Sequence, residues 1–300
     1  MKTLIIKLFI LLFQKEKKCP TQEVKPPVLW ERNQTVLSNT NEITSKQEQT
    51  LITNPINEND NSINTKSQQI RRSMSAKCQI TPFFSPKKGF TVNEYEDSFK
   101  IPFEVSNHET IKFNIAIADG ASESSFAKEW AQILVDNFGY KSFTPRNIHK
   151  TLRASSKVWE EVTNKNPLSW YAEQKKEMGA FAAILGLEIN LLDKSLKALA
   201  YGDCNMFIIR NNKLINAFPY SNYSDFGLNR KLPSSKLSQN QDINKECHSL
   251  SVSINSSDLI IMVTDAVAAW FLKNYSDGMM PWETILERYK NDDFNEWLNT

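Results

Sequence analysis

Residues 111–127 read I-K-F-N-I-A-I-A-D-G-A-S-E-S-S-F-A, and this stretch decides the fold. Ile111, Phe113, Ile115 and Ile117 alternate with Lys112, Asn114, Ala116 and Ala118, the period-two signature of a strand. The strand ends in Asp119-Gly120. Phe126, Trp130, Ile133, Leu134 and Phe138 then recur at helical spacing, with Gly139 placed to stop the helix and Ser122 as its expected N-cap.

The same reading extends in both directions. A second helix is expected over 151–162, with Leu152, Val158, Trp159 and Val162 on its buried side, and a short strand over 99–103. Residues 180–190 are apolar and strand-like. The segments 196–201, 205–210 and 213–218 read as a meander, with Asn211-Asn212 supplying the positive φ that tight hairpin turns require. A polar excursion over 219–247 precedes strands at 248–254 and 258–264, and the latter runs through Asp265 into an apolar helix at 266–272. Mostly antiparallel strands with long helices predict an α+β layered domain. A doubly wound nucleotide fold is disfavoured, because the chain has no G-x-G-x-x-G or Walker loop.

Charge divides the chain. Of 300 residues, 36 are Lys or Arg and 34 Asp or Glu; residues 1–88 hold 14 and 7 of these, residues 89–300 hold 22 and 27. All eight glycines lie in 89–300. A mildly acidic body argues against nucleic acid as the partner. Cys19, Cys78, Cys204 and Cys247 are far apart, as are His108, His149 and His248, so neither a disulfide scaffold nor a zinc-finger ligand set is present. A metal, if used, must be held by carboxylates.

The apolar run at 4–13 is too short to span a bilayer, which needs about 20 residues, and no small-x-small cleavage site follows it. It reads as a terminal segment with capacity for weak membrane contact. In 33–70, 23 of 38 residues are Asn, Gln, Ser or Thr, a composition that cannot offset the entropy of ordering. The expected organisation is therefore an apolar segment plus disordered polar leader over 1–81 and a folded domain over 82–300.

Asp119 and Asp265 each end an apolar strand and begin a helix. Alone, either would be a turn residue or cap. Two such ends side by side could gather carboxylates around hard cations such as Mg²⁺ or Mn²⁺. A third acidic cluster, Glu94, Glu96 and Asp97, precedes the strand expected at 99–103.

These segments resemble the type 2C metal-dependent protein serine/threonine phosphatases, in particular a bacterial branch. The matching pieces are N-E-Y-E-D-S-F (93–99), I-A-D-G-A-S-E-S-S-F-A (117–127), G-A-F-A-A-I-L-G-L (179–187), Y-G-D-C-N-M-F (201–207) and V-T-D-A-V-A-A-W-F-L (263–272), in the family's order. The resemblance implies a four-layer α-β-β-α sandwich of two antiparallel sheets with a two-metal site, Mg²⁺ or Mn²⁺, at one end. It places Asp119 between both ions, the Gly120 carbonyl on one, Asp265 on the other, and Glu96 or Asp97 on metal-bound water. The implied activity is hydrolysis of phosphoserine or phosphothreonine in a protein substrate by metal-activated water, in a cytoplasmic monomer. The alternative is a weak or silent relative that binds phosphoproteins.

The chain departs from the family's pattern in three places. Ala121 stands where a His often follows the first aspartate and glycine. Lys87 and Lys88 take the place of a phosphate-binding arginine. Asn291-Asp292-Asp293 has the letters of the family's closing motif, but the residues after it are helical in pattern, so it is expected to open a late helix. The closing strand, and a metal aspartate with it, would then be missing, leaving its neighbour unpaired. Asp203 in G-D-C reads as a residue ordering its turn, and Cys204 as buried rather than nucleophilic.

Overall fold

Strand alternation sorts the apolar side chains into three clusters. The computed structural model describes residues 6–15, 76–85, 95–101, 112–139, 142–165, 167–227, 231–291 and 297. Among them the strands are β1 (Ile6–Lys15), β2 (Ala76–Ser85), β3 (Ser98–Lys100), β4 (Lys112–Gly120), β5 (Ala182–Asn190), β6 (Ser195–Tyr201), β7 (Asn205–Arg210), β8 (Lys213–Phe218), β9 (Cys247–Ser253) and β10 (Leu259–Val263). The helices are α1 (Ala127–Asn137), α2 (Pro145–Thr163), α3 (Trp170–Met178), the one-turn α4 (Ile243–Glu246), α5 (Asp265–Ser276) and α6 (Pro281–Asn291). One sheet runs β3-β4-β5-β6-β9 and the other β2-β1-β10-β7-β8, antiparallel throughout.

Ile115 and Ile117 of β4 and Leu185 and Leu187 of β5 pack with Met206, Ile208, Ile260 and Met262 of the other sheet in a cluster between the two. On the outer face of the first sheet, Ala116, Ala118 and Ile184 meet Trp130 and Leu134 of α1 and Trp159 of α2. On the outer face of the second, Phe207, Ile261 and Val263 meet Val267 and Phe271 of α5 and Trp282 and Ile285 of α6. The chain is thus an α+β fold of four layers, α-β-β-α, as the sequence predicts. Each fully buried Leu, Ile or Phe contributes about 1.5–3 kcal/mol. Because β4, β5 and β10 are buried on both faces, their sequences are nearly continuous apolar runs. Gly186 leaves room for the Phe138 ring, whose Cε1 would lie 2.0 Å from an added Cβ.

Several boundaries differ from the sequence reading. α1 begins at Ala127 with Phe126, not Ser122, at its N-cap. The intervening residues are held in a loop against Phe181 instead. α2 starts at Pro145, earlier than expected, because the Thr144 hydroxyl accepts from the Asn147 amide and proline suits the first helical turn. Asn211 and Asn212 have φ of 50° and 57°, the turn their sequence asks for. Asn291 closes α6 rather than opening a helix, and Asp292 and Asp293 lie outside the described residues.

The largest difference is at the N-terminus. The run read as a terminal segment and a place of membrane contact supplies β1, whose Leu8 to Leu12 pair with Val263 to Leu259 while Ile6 to Lys15 pair with Ser85 to Ala76. A short apolar run suits a buried strand as well as a signal core, and periodicity does not separate the two. Its partner does: β1 occupies the edge of β10 opposite β7, so among the described residues β10 is paired on both sides rather than left open. The boundary drawn at 82 falls inside β2. Residues 16–75, with the polar tract at 33–70, lie outside the described residues. No helix among the described residues is long and apolar enough to cross a membrane.

Ile10 sits mid-strand, opposite Thr81 on one side and Ile261 on the other. Ile10→Pro should therefore destabilise the whole domain by about 1–3 kcal/mol, since proline removes a ladder donor and leaves its partner carbonyl unpaired. Urea unfolding of the full chain checks this; an unchanged midpoint would mean β1 is peripheral.

Candidate functional site

Two antiparallel pairs deliver carboxylates to one end of the sandwich. In the first sheet Ser98 pairs with Ala118, so the next step along the ladder sets Asp97 opposite Asp119. In the second, Val263 pairs with Asn205; Asp265 begins α5 two residues beyond that pair and Asp203 stands two residues before β7. Asp119 feels Asp97, Asp265 and Asp203, which brings the two sheet ends together. Its carboxyl is pushed well above the ordinary carboxylate range, first by burial, then by the neighbouring charges of Asp97, Asp265 and Asp203. Burial and then the Asp97 and Asp119 charges likewise push the Tyr95 phenol up. The Cys204 thiol is raised by burial and by all four aspartates, so it stays protonated and is no nucleophile.

Buried carboxylates elsewhere in the fold are neutralised. Asp258 receives Arg210 Nε at 2.7 Å and Nη2 at 2.8 Å. Glu188 meets Lys112 at 3.1 Å and Lys197 at 3.3 Å. The groups that raise Asp119 are its burial and three other aspartates, an arrangement of hard oxygen donors suited to divalent cations of the Mg²⁺ class. Among the described residues no three His, Cys, Asp or Glu side chains are set as a ready ligand group. The aspartates lie within electrostatic reach of one another without converging on a shared point.

The loop after Asp119 is fixed by Ser124. Its Oγ donates to the Ala121 carbonyl at 2.9 Å and accepts from the Phe181 amide at 3.2 Å, while the Ala121 amide donates to Phe181 O at 2.9 Å. Gly120 admits no side chain, since a Cβ there would lie 2.6 Å from the Glu96 carbonyl oxygen. Phe126 takes φ 63° and ψ 25°, a left-handed conformation costly for a bulky residue, and its ring stands edge-on to Trp159 at 6.2 Å. At the second sheet's end, the Ala266 amide donates to Asp265 Oδ1 at 2.6 Å.

The structure therefore brings Asp97, Asp119 and Asp265 together with the Gly120 turn. Of the alternatives Glu96 and Asp97, Asp97 is the buried one and acts on Asp119, whereas Glu96 contributes its backbone beside Gly120. Lys87 and Lys88 lie outside the described residues. Asp203, read from sequence as a turn residue, joins the cluster. The signal that could have found it is positional, because it stands as far before β7 as Asp265 stands after β10.

No protein-family model and no curated protein matches the sequence. Among solved structures the chain is similar to the photosystem II phosphatase PBCP, at 15% identity and a TM-score of 0.38 over 57% of this chain and 59% of that one. It is similar to the Mycobacterium tuberculosis serine/threonine phosphatase PstP/Ppp at 10% identity and 0.37, over 56% and 71%. It is also similar to RsbX in complex with magnesium, at 15% and 0.32, over 56% and 86%. The chain thus spans less than two thirds of PBCP. At such identities and scores, the chemistry has to be argued from this chain's own residues.

Asp119 offers a test free of any activity. Its raised carboxyl binds a proton more tightly folded than unfolded, where the value is about 3.9. Its stabilising contribution is therefore full below that value and is lost as pH rises through the folded one. Asp119→Asn should raise the melting temperature by a few degrees at pH 8 in EDTA. The gain should shrink steadily towards pH 4; a gain that is flat with pH would contradict the clustering of charges.

Proposed function

We propose that this chain is a metal-dependent phosphatase of the type 2C kind, acting on phosphoserine or phosphothreonine in proteins. The observation that carries the reading is the meeting of Asp97 and Asp119 from one sheet with Asp203 and Asp265 from the other. Asp119, the Gly120 carbonyl, Asp265 and Asp97 would hold two Mg²⁺ or Mn²⁺ ions, with Asp203 as a further oxygen donor. Bound there, the ions would neutralise phosphoryl charge and acidify water for attack on phosphorus.

The chain's own groups do the rest. Ser124 pins the Ala121 loop to Phe181, so the backbone after Asp119 is fixed before substrate arrives. Tyr95, its phenol held protonated by burial and by the Asp97 and Asp119 charges, stands within electrostatic reach of both carboxylates. The Cys204 thiol is held protonated by burial and the surrounding aspartates, which favours direct attack by water over a covalent thiol intermediate. Ala121 brings no imidazole, so the serine or threonine leaving group takes its proton from solvent or another donor.

A second reading is favoured by one observation, the lack among the described residues of a ready three-ligand set. In it the fold is a phosphoprotein-binding module with little or no turnover.

Hydrolysis of p-nitrophenyl phosphate by the full chain, with Mn²⁺, with Mg²⁺ and with EDTA, separates the two. Turnover should require the ion, fall at least a hundredfold in Asp119→Asn and fall measurably in Asp203→Asn. Equal rates in wild type and Asp119→Asn would end the enzyme reading. Phosphopeptide binding without turnover would establish the module.

A further inference from the structure

Helix α2 carries a charge arrangement that its own stability does not explain. Its buried side is Ile148, Leu152, Ser155 and Trp159. On the other side Arg146, Lys150, Arg153 and Lys157 are exposed at spacings of four, three and four, one stripe along the helix. With His149 and Ala154 they line a shallow surface groove. From 145 to 159 the helix has no Asp or Glu. Among the described residues none of the four cations makes an ion pair, whereas Lys236 reaches Glu160 and Lys273 reaches Asp277.

Two effects make the stripe costly as pure structure. Like charges three and four residues apart on a helix repel. The cations also begin in the first turn, at the positive end of the helix dipole, where no acidic residue offsets them. Residues 89–300 have 22 basic and 27 acidic side chains, so the stripe is a local concentration against an acidic background. An anion laid along it would relieve both costs at once.

The geometry points to a docking surface on α2 for an acidic segment of a protein partner, phosphorylated or rich in Asp and Glu. Arg146 to Lys157 spans roughly 16 Å at 1.5 Å per helical residue. About five residues of extended peptide, at about 3.3 Å each, cover that length. The two arginines present forked donors suited to carboxylate or phosphate, and the lysines add point charges. Single-stranded nucleic acid would call for stacking aromatics, and a membrane surface for inserted apolar side chains. The groove's lining has one ring, His149, where successive bases would need several, and no large apolar side chain. The choice of a protein partner rests on the phosphatase reading, for which this face would hold a substrate by residues away from its scissile phosphate.

The test is fluorescence anisotropy of the full chain in EDTA. The probe is a labelled heptapeptide alternating phosphoserine and aspartate, and wild type is compared with Arg146→Gln/Lys150→Gln/Arg153→Gln/Lys157→Gln. All four positions are exposed, and circular dichroism with urea unfolding verifies the variant's fold. The variant should bind on the order of tenfold more weakly at low salt and lose most of the salt dependence. Its p-nitrophenyl phosphate turnover should match wild type. Equal peptide binding by both proteins would overturn the docking site, as would tighter binding of a uridine 20-mer RNA or of phosphatidylserine vesicles than of the peptide. Peptide binding lost in the variant, with no turnover by either protein, would sink the phosphatase reading and leave the docking site standing.

Discussion

The register of two antiparallel ladders governs what this sandwich can hold at its end. A one-residue slip of β3 against β4 would turn Asp97 to the other face and put a different side chain opposite Asp119. In the other sheet, the pairing of Asn205 with Val263 brings the ends of β7 and β10 that lead to Asp203 and Asp265 side by side. Register is enforced from inside. Ile115 and Ile117 on one sheet and Ile260 and Met262 on the other can reach the shared core only in this pairing. The apolar core thus acts as the jig for a polar cluster that is unfavourable in isolation.

That cluster is asymmetric within the fold. At the opposite end of β7 and β10, Arg210 clamps Asp258 with two short hydrogen bonds, and the charge is balanced. At the Asp119 end, burial and three neighbouring aspartates raise the Asp119 carboxyl instead. The backbone there is strained at Phe126, which is left-handed, and Gly120 admits no side chain beside the Glu96 carbonyl. Like-charged groups and a left-handed bulky residue close together in the chain mark a region shaped by something other than stability.

Much of this was legible in the sequence. Alternation in 111–118 and the apolar runs of β5 and β10 gave the layers, and the Asn211-Asn212 turn gave the hairpin. Asp119 and Asp265 were legible because each interrupts an apolar strand at a helix start. Asp203 was not, since a carboxylate in a tight turn looks the same whether it caps the turn or faces a cluster; only the strand register separates the two. β1 was missed for a related reason, because an apolar decamer does not name its partner. Ser122 failed as an N-cap because the loop's hydrogen bonds run to Phe181, a residue some sixty positions away in the chain.

The place of β1 has a consequence during synthesis. Its partner β10 lies about 250 residues downstream, and Leu8 meets Val263 only when nearly the whole domain has been made. At roughly 5–20 residues per second this is a delay of tens of seconds, during which an apolar strand waits with open hydrogen-bonding edges. β2 arrives sooner and can cover one edge. The other stays available to chaperones, or to a neighbouring nascent chain on the same messenger, until the last strand of its sheet is translated.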